Sequence, residues 1–448
     1  MKPHGLRPTS LALILSLVTC SPTLLAHFQR PANAGSLAAN IDSEDPIALL
    51  QQWIATPADQ RGDLNEQPFA EMSLSKQQAE QAKQLLWDDH LKQRSKIAEK
   101  ILQAGEVSDG THTMKFAAKT FGEKPDGGHS LYLSLHGGGG APARVNDRQW
   151  ENQKGLYSPK EGIYVAPRAP TDTWNLWHQA HVDGLFRQII EAHVVTGQVD
   201  PNRVYVMGYS AGGDGVYQLA PRMADSFAAA AMMAGHPNEA SPLGLRNIGF
   251  TIHMGGNDSA YNRNQVARQW GQRLDELQQK DPGGYAHETV IHEGKGHWMD
   301  RQDAVALEFL ARFTRNPNPS KVVWYQDDVT RNRFYWLAVD DEQRRAGTTV
   351  TAAIESPKSG EDQKIRVDSS DLARVTIHLS DELLDLDKEV TFVSNGKPIS
   401  RIPIARKIGT LWSTLQQSHD PGLMWSVELD LTIPEVSQPT PTQDDGPK

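Results

Sequence analysis

The chain has 448 residues, of which 38% are apolar and 22% charged, with a formal net charge of −10. That length leaves room for two or three domains and a large buried core. The negative balance excludes a basic nucleic-acid surface and a general affinity for anionic membranes, and no block of like charge forms a tail.

At the N-terminus Lys2, His4 and Arg7 precede the apolar stretch LALILSLV, residues 11–18. A basic start and a short apolar core have the form of a secretory signal. The stretch is too short to span a bilayer. Two exits are open. Ala32-Asn33-Ala34 is a small-x-small cleavage site before Gly35, and Cys20, in LVTC, resembles a lipoprotein box. Membrane contact is expected only through a lipid on Cys20. Cys20 is the single cysteine, so disulfides and cysteine-based metal or redox chemistry are excluded.

Residues 35–43 read as a linker, and residues 45–102 as mostly helical, broken at Pro57-Ala58-Asp59. Leu85, Leu86, Leu91, Ile97 and Ile101 fall on one predicted helix face, with Gly105 as the stop. From about residue 112 the pattern changes. Apolar strands at 130–135, 162–167, 202–208, 227–235, 247–255 and 287–292 alternate with helices at 181–197, 211–224, 264–280 and 302–315. That alternation predicts an α/β fold, a mostly parallel sheet covered on both faces. The block ends at Asn316-Pro317-Asn318-Pro319. Short strands with turns between them follow, including the hairpin signal Asn395-Gly396, and predict an all-β sandwich over 319–437. Residues 438–448 read as a disordered tail. The expected divisions are therefore 1–34, 35–111, 112–318, 319–437 and 438–448.

In an open parallel sheet, ligands sit beyond the carboxyl ends of the strands. Four loops there carry suggestive residues. Gly208-Tyr209-Ser210-Ala211-Gly212 fits G-x-S-x-G between a strand and a helix. Such a turn lifts a serine clear of the sheet and places it at a helix N-terminus, where negative charge is favoured. A capped strand-to-helix turn is the bland alternative. Asp258 follows a later strand in HMGGND, and His297 follows the next in GKGHWM. A carboxylate can orient an imidazole, and a neutral imidazole can take a serine proton. His292 also lies there, but it closes the strand, so His297 is preferred. The order Ser, Asp, His is that of α/β-hydrolases. LHGGGG, ending at Gly140, supplies glycines for an oxyanion hole, assigned to the N–H groups of Gly138 and Ala211 with Gly139 as a third donor. It lacks the Lys-Ser/Thr ending of a phosphate loop.

LHGGGG, GYSAGG, HMGGND and GKGHWM together resemble the secreted esterases of the poly(3-hydroxybutyrate) depolymerase and feruloyl esterase type. They are also similar to the catalytic domains of prolyl-oligopeptidase-like peptidases. The resemblance covers roughly residues 112–316. It implies an exported serine hydrolase for carboxylic esters, including polymeric ones, with Ser210, Asp258 and His297 as its catalytic triad. A peptidase of the same fold and a non-catalytic binding protein on a hydrolase scaffold are the rival readings. Trp174, Trp177 and Trp298 are candidates to line the substrate pocket. Asp214 is a neighbour of the serine. Trp324, Tyr335 and Trp336 read as core residues of the β region. The histidines show no H-E-x-x-H spacing, so no metal and no cofactor are expected.

Export has a direct test. Mature protein from the native host should begin at Gly35 by N-terminal sequencing. Radiolabelled palmitate on the chain, lost in Cys20→Ser, would instead show lipidation.

Overall fold

The fully apolar runs of the middle of the chain become the centre of one large sheet in the computed structural model, which describes residues 45–355, 363–401 and 403–434. The predicted signal, both of its exits, the linker and the tail lie outside those residues. Among the described residues no helix is long and apolar enough to cross a membrane.

The large sheet holds β1 (Glu106–Ser108), β2 (Thr113–Phe121), β3 (His129–Leu135), β4 (Gly162–Pro167), β5 (Val199–Tyr209), β6 (Ala229–Met233), β7 (Gly249–Gly255) and β8 (His287–His292). Their order is β1-β2-β4-β3-β5-β6-β7-β8. β1 and β2 run antiparallel at one edge, and every pairing from β4 to β8 is parallel. Burial explains the composition. Every residue of β3, β4, β6 and β7 is buried, which suits strands covered on both faces. Around the sheet lie α3 (Ala143–Gln153), α4 (His181–Val195), α5 (Ala211–Arg222), α6 (Arg263–Lys280) and α7 (Ala306–Leu310). The arrangement fits an α/β-hydrolase. The helix expected over 302–315 is much shorter. A 3₁₀ turn precedes the five residues of α7. The chain then turns away, and Arg315 N–H donates to Asn202 O while its side chain pairs with Asp420.

Two helices precede the sheet, α1 (Pro46–Ala55) and the 29-residue α2 (Lys76–Ala104). Ser75 and Gln78 cap α2 reciprocally, and Gly105 ends it at φ 65°. The expected face of α2 packs inward at Leu85, Leu86, Leu91 and Ile101 but not at Ile97. Ala79, Ala82, Leu86 and Ala98 point inward, while Ile97 is exposed. Small residues join that face because the C-terminal half of α2 lies close against α4, with Ala98 on Ala192 and Val195.

After Pro319 come two further sheets. One has the order β10-β11-β14-β17: Arg333–Phe334, Leu337–Ala338, Arg374–Leu379 and Val427–Thr432. The other has the order β16-β15-β13-β12-β9: Lys397–Arg401, Val390–Ser394, Gln363–Asp368, Thr349–Glu355 and Lys321–Tyr325. Asn395 and Gly396 turn the β15–β16 hairpin at φ 48° and 77°. Trp324, Tyr335 and Trp336 are buried. A helix not foreseen, α8 (Ile408–Ser418), buries Ile408, Leu411 and Leu415 against Leu50, Phe69 and Leu86.

These sheets share one apolar core with the large sheet, so Trp324 and Phe334 belong to the same cluster as Leu131 and Val206. The described chain from Pro46 on is one compact unit. Polar contacts cross the join as well. Tyr335 Oη donates to Ala224 O at 2.9 Å, and Arg331 clasps both oxygens of buried Asp225 at 2.9 and 3.2 Å. Removing one partner of such a pair strands the other. Arg331→Met is expected to lower stability by about 3–5 kcal/mol. Urea denaturation should still show one transition. A loss under about 1 kcal/mol, or two separate transitions, would mean that the join is loose.

Candidate active site

Ser210 stands where β5 ends and α5 begins. Its φ and ψ are 59° and −123°, a conformation that costs a non-glycine residue on the order of 1–3 kcal/mol. Its neighbours impose it. A methyl group on Gly208 would lie 2.2 Å from Gly212 O, and one on Gly212 would lie 2.1 Å from Leu135 O. Only glycine allows the start of α5 to come so close to β3 and β5. Ser210 N–H donates to Met233 O at 2.9 Å and anchors the turn to β6.

Asp258 follows β7 and His297 follows β8. The fold brings both to Ser210. Asp258 is 3% exposed. Its Oδ2 accepts from His297 Nδ1 at 2.7 Å. A carboxylate oxygen accepts, so Nδ1 carries the imidazole proton and Nε2 is left as an acceptor. Ser210 Oγ donates to that Nε2 at 2.9 Å. Arg263 adds positive charge, its Nη1 3.5 Å from Asp258 Oδ1. His292 is elsewhere, buried with its Nε2 3.1 Å from His253 Nδ1. Tyr209, the variable residue of the serine motif, also acts on the site. Its hydroxyl donates to His297 O at 2.6 Å and accepts from Met299 N–H at 3.1 Å, which fixes the histidine loop.

The loop after β3 packs directly on the serine. A methyl group on Gly137 would lie 3.7 Å from Ser210 Oγ. Gly138 has φ 108°, and a side chain there would strike Asn146 Oδ1 at 2.2 Å. Among the described residues the N–H groups of Gly138 and Ala211 have no hydrogen-bond partner. Gly139 is different. Its N–H donates to Asn146 Oδ1 at 2.8 Å, so it is spent on holding the loop and is not a donor to a ligand. Asn146 in turn donates to Ala141 O and to Asp172 Oδ1. His136 holds the other side. Its Nε2 accepts from Ala169 N–H at 3.1 Å, so Nδ1 carries the proton and donates to Gly137 O at 2.6 Å.

No protein-family model and no curated protein matches this chain. Solved structures are similar to part of it. A thermostable esterase is 20% identical, covering 47% of this chain and 62% of its own, at a TM-score of 0.36. A poly(3-hydroxybutyrate) depolymerase from Bordetella parapertussis is 16% identical, covering 49% of this chain and 98% of its own, at 0.34. A feruloyl esterase module from Clostridium thermocellum is 15% identical, covering 45% and 88%, at 0.32.

The cleft opens on both sides of Ser210. One lobe, of about 550 Å³, is lined by Leu156, Tyr209, Trp298 and Arg301. The other, of about 580 Å³, is lined by Trp174, Asp214, Tyr261 and Arg263. Trp174, Tyr261 and Trp298 are 63%, 78% and 50% exposed. They are three of the five large apolar side chains exposed among the described residues, so the aromatic rim is concentrated at the serine. Trp177 is not part of it. It is fully buried, stands edge-on to His136, and donates from Nε1 to His136 O at 3.0 Å. Asp214 accepts from His236 N–H at 2.6 Å, and burial raises its pKa. Tyr261, Asn146 and His136 had no role in the sequence reading. For Tyr261 a signal existed, since it sits three residues beyond Asp258.

Burial pushes His136 down to about 4 and His253 to about 3. His90 and His178 are likewise depressed to about 4, chiefly by burial. These groups are neutral in the fold, and in the unfolded chain they titrate near 6.5. Below that pH the unfolded state binds the extra protons. Their stabilisation is therefore complete above pH 6.5 and drains away as pH falls toward 4, by on the order of 2–3 kcal/mol for each histidine. Melting temperature should fall steeply from pH 6.5 to 4.5, with a shallower slope in His136→Gln. A flat profile would contradict the assigned burial.

Proposed function

We propose that this chain is an exported serine hydrolase that cleaves carboxylic esters. The observation that carries the reading is the relay from buried Asp258 through His297 to a strained serine at a helix N-terminus. Ser210 Oγ attacks the ester carbonyl carbon as its proton passes to His297 Nε2. The carbonyl π electrons move onto oxygen. The N–H groups of Gly138 and Ala211 stabilise that oxyanion, each worth about 3 kcal/mol of barrier. Asp258 stabilises the imidazolium and keeps it oriented. The oxyanion collapses, the C–O bond to the alcohol breaks, and His297 protonates the departing oxygen. An ester now joins the acyl group to Ser210. Water then attacks it, giving its proton to His297, which returns it to Ser210 Oγ as the acid leaves.

Three open aromatic rings around the serine suit an aryl or extended ester, with acyl and alcohol parts in opposite lobes. The basic start and short apolar stretch of residues 1–18 support export. A panel of aryl, feruloyl and hydroxyalkanoate esters with aminoacyl anilides tests the substrate class. Turnover of the anilides above the esters would make the protein a peptidase. On a p-nitrophenyl ester, Ser210→Ala and His297→Ala should each lower kcat by about 10⁴-fold or more. His292→Ala should leave it within about tenfold, since His292 faces His253. The reverse ranking of the two histidines would overturn the assignment.

A further inference from the structure

A second cavity lies away from the cleft, where α4, the turn at residues 224–226 and the end of α8 meet the start of the C-terminal sheets. Its volume is about 40 Å³, room for roughly three waters or one small inorganic anion. Arg187, Arg331 and Arg333 line it, with Glu191, Asp225 and Asp420.

The charges do not balance. Glu191 is already held from outside the cavity by Arg94 at 2.6 Å, and Asp420 by Arg315 at 2.7 Å. Asp225 is taken by Arg331, whose Nε is buried without a partner. That leaves two guanidinium groups with no ion pair of their own among the described residues, acted on only through space, Arg187 by Asp225 and Asp183 and Arg333 by Asp225 and Asp420. Arg333 is 9% exposed; among the described residues it bonds to the neutral Gln417 amide at 3.1 Å and lies over the face of Trp425, with no ion pair. Arg187 makes no hydrogen bond or ion pair with any described residue. Its pKa is depressed to about 10, first by repulsion from Arg331 and then by burial, and that of Arg333 to about 10, chiefly by burial. Two unpaired cations at the wall of one small cavity are costly unless something neutralises them.

We propose that this cavity binds a small inorganic anion, held by Arg187, Arg331 and Arg333. Such an ion would supply the missing negative charge and join α4 to the start of the C-terminal sheets. A metal cation is the rival occupant nearby. His90, Glu191 and His419 offer three ligand atoms within 4.8 Å of one another. Arg94 already sits on that carboxylate, and Arg187 and Arg333 act on His419 with the same sign as a metal ion would. The local field selects an anion.

Thermal unfolding of the full chain tests this at constant ionic strength, with inorganic phosphate or sulfate replacing gluconate, which is too large for the cavity. An anion that binds only the folded state raises the melting temperature with its concentration. The expected result is a rise of several degrees that saturates in the millimolar range. It should vanish in Arg187→Gln and in Arg333→Gln, with ester turnover unchanged. General salting effects of sulfate are different, because they do not saturate and persist in both variants. A rise that persists in the variants, or no rise in the unaltered protein, would overturn the proposal. So would stabilisation by zinc gluconate that is lost in His90→Gln.

Discussion

Ser210 is held in a left-handed conformation by a contact between backbones. Gly208 and Gly212 meet where β5 turns into α5, with less space than one methyl group needs. The same closeness presses α5 onto its surroundings. A side chain on Gly213 would lie 2.5 Å from Met233 O, and one on Gly215 would lie 2.5 Å from Trp177 Cβ. Three glycines within the first five residues of α5 lower its helix propensity by about 3 kcal/mol relative to alanine. The tertiary contacts offset that. In return the start of the helix points its open N–H groups at the serine.

With the serine fixed, the other groups need only be held at the right distance. Each is held by a buried, hydrogen-bonded neighbour, and of these supports Tyr209 also lines the cleft. His136 and Asn146 grip the loop of Gly137 and Gly138 from two sides, and Trp177 backs His136. Tyr209 grips the loop of His297 from below. These supports are buried and hydrogen-bonded, so the site is organised before any ligand arrives. Organisation of that kind stabilises developing charge at little reorganisation cost. The cleft above is built the opposite way, with aromatic rings open to solvent.

Much of this was legible in the chain. Strand-ending glycines at residues 137–140, 208 and 255 marked the loops, and the order of Ser210, Asp258 and His297 marked the three side chains that the fold brings together. What stayed hidden depends on contacts through space. α3 reads ARVNDRQWENQ, with no apolar stripe to announce a helix, so nothing in the sequence points to Asn146. Trp174 and Trp177 share one loop, yet one is open and the other fully buried. Periodicity cannot separate them, because the loop has none. α8 is not legible in the sequence, because its apolar face meets α1 and α2, more than 300 residues earlier in the chain. The division at Asn316–Pro319 marks a change in strand pattern, while the core runs across it.

The central claim is that Ser210 carries the acyl group during turnover. Rapid quenching of the protein with an excess of p-nitrophenyl acetate, followed by mass spectrometry of its peptides, tests this directly. The account predicts a transient acetyl adduct on the peptide containing Ser210, accumulating in Gly138→Ala less than in the unaltered chain. An adduct confined to another residue, or ester turnover with no covalent adduct at the earliest quench times, would contradict it.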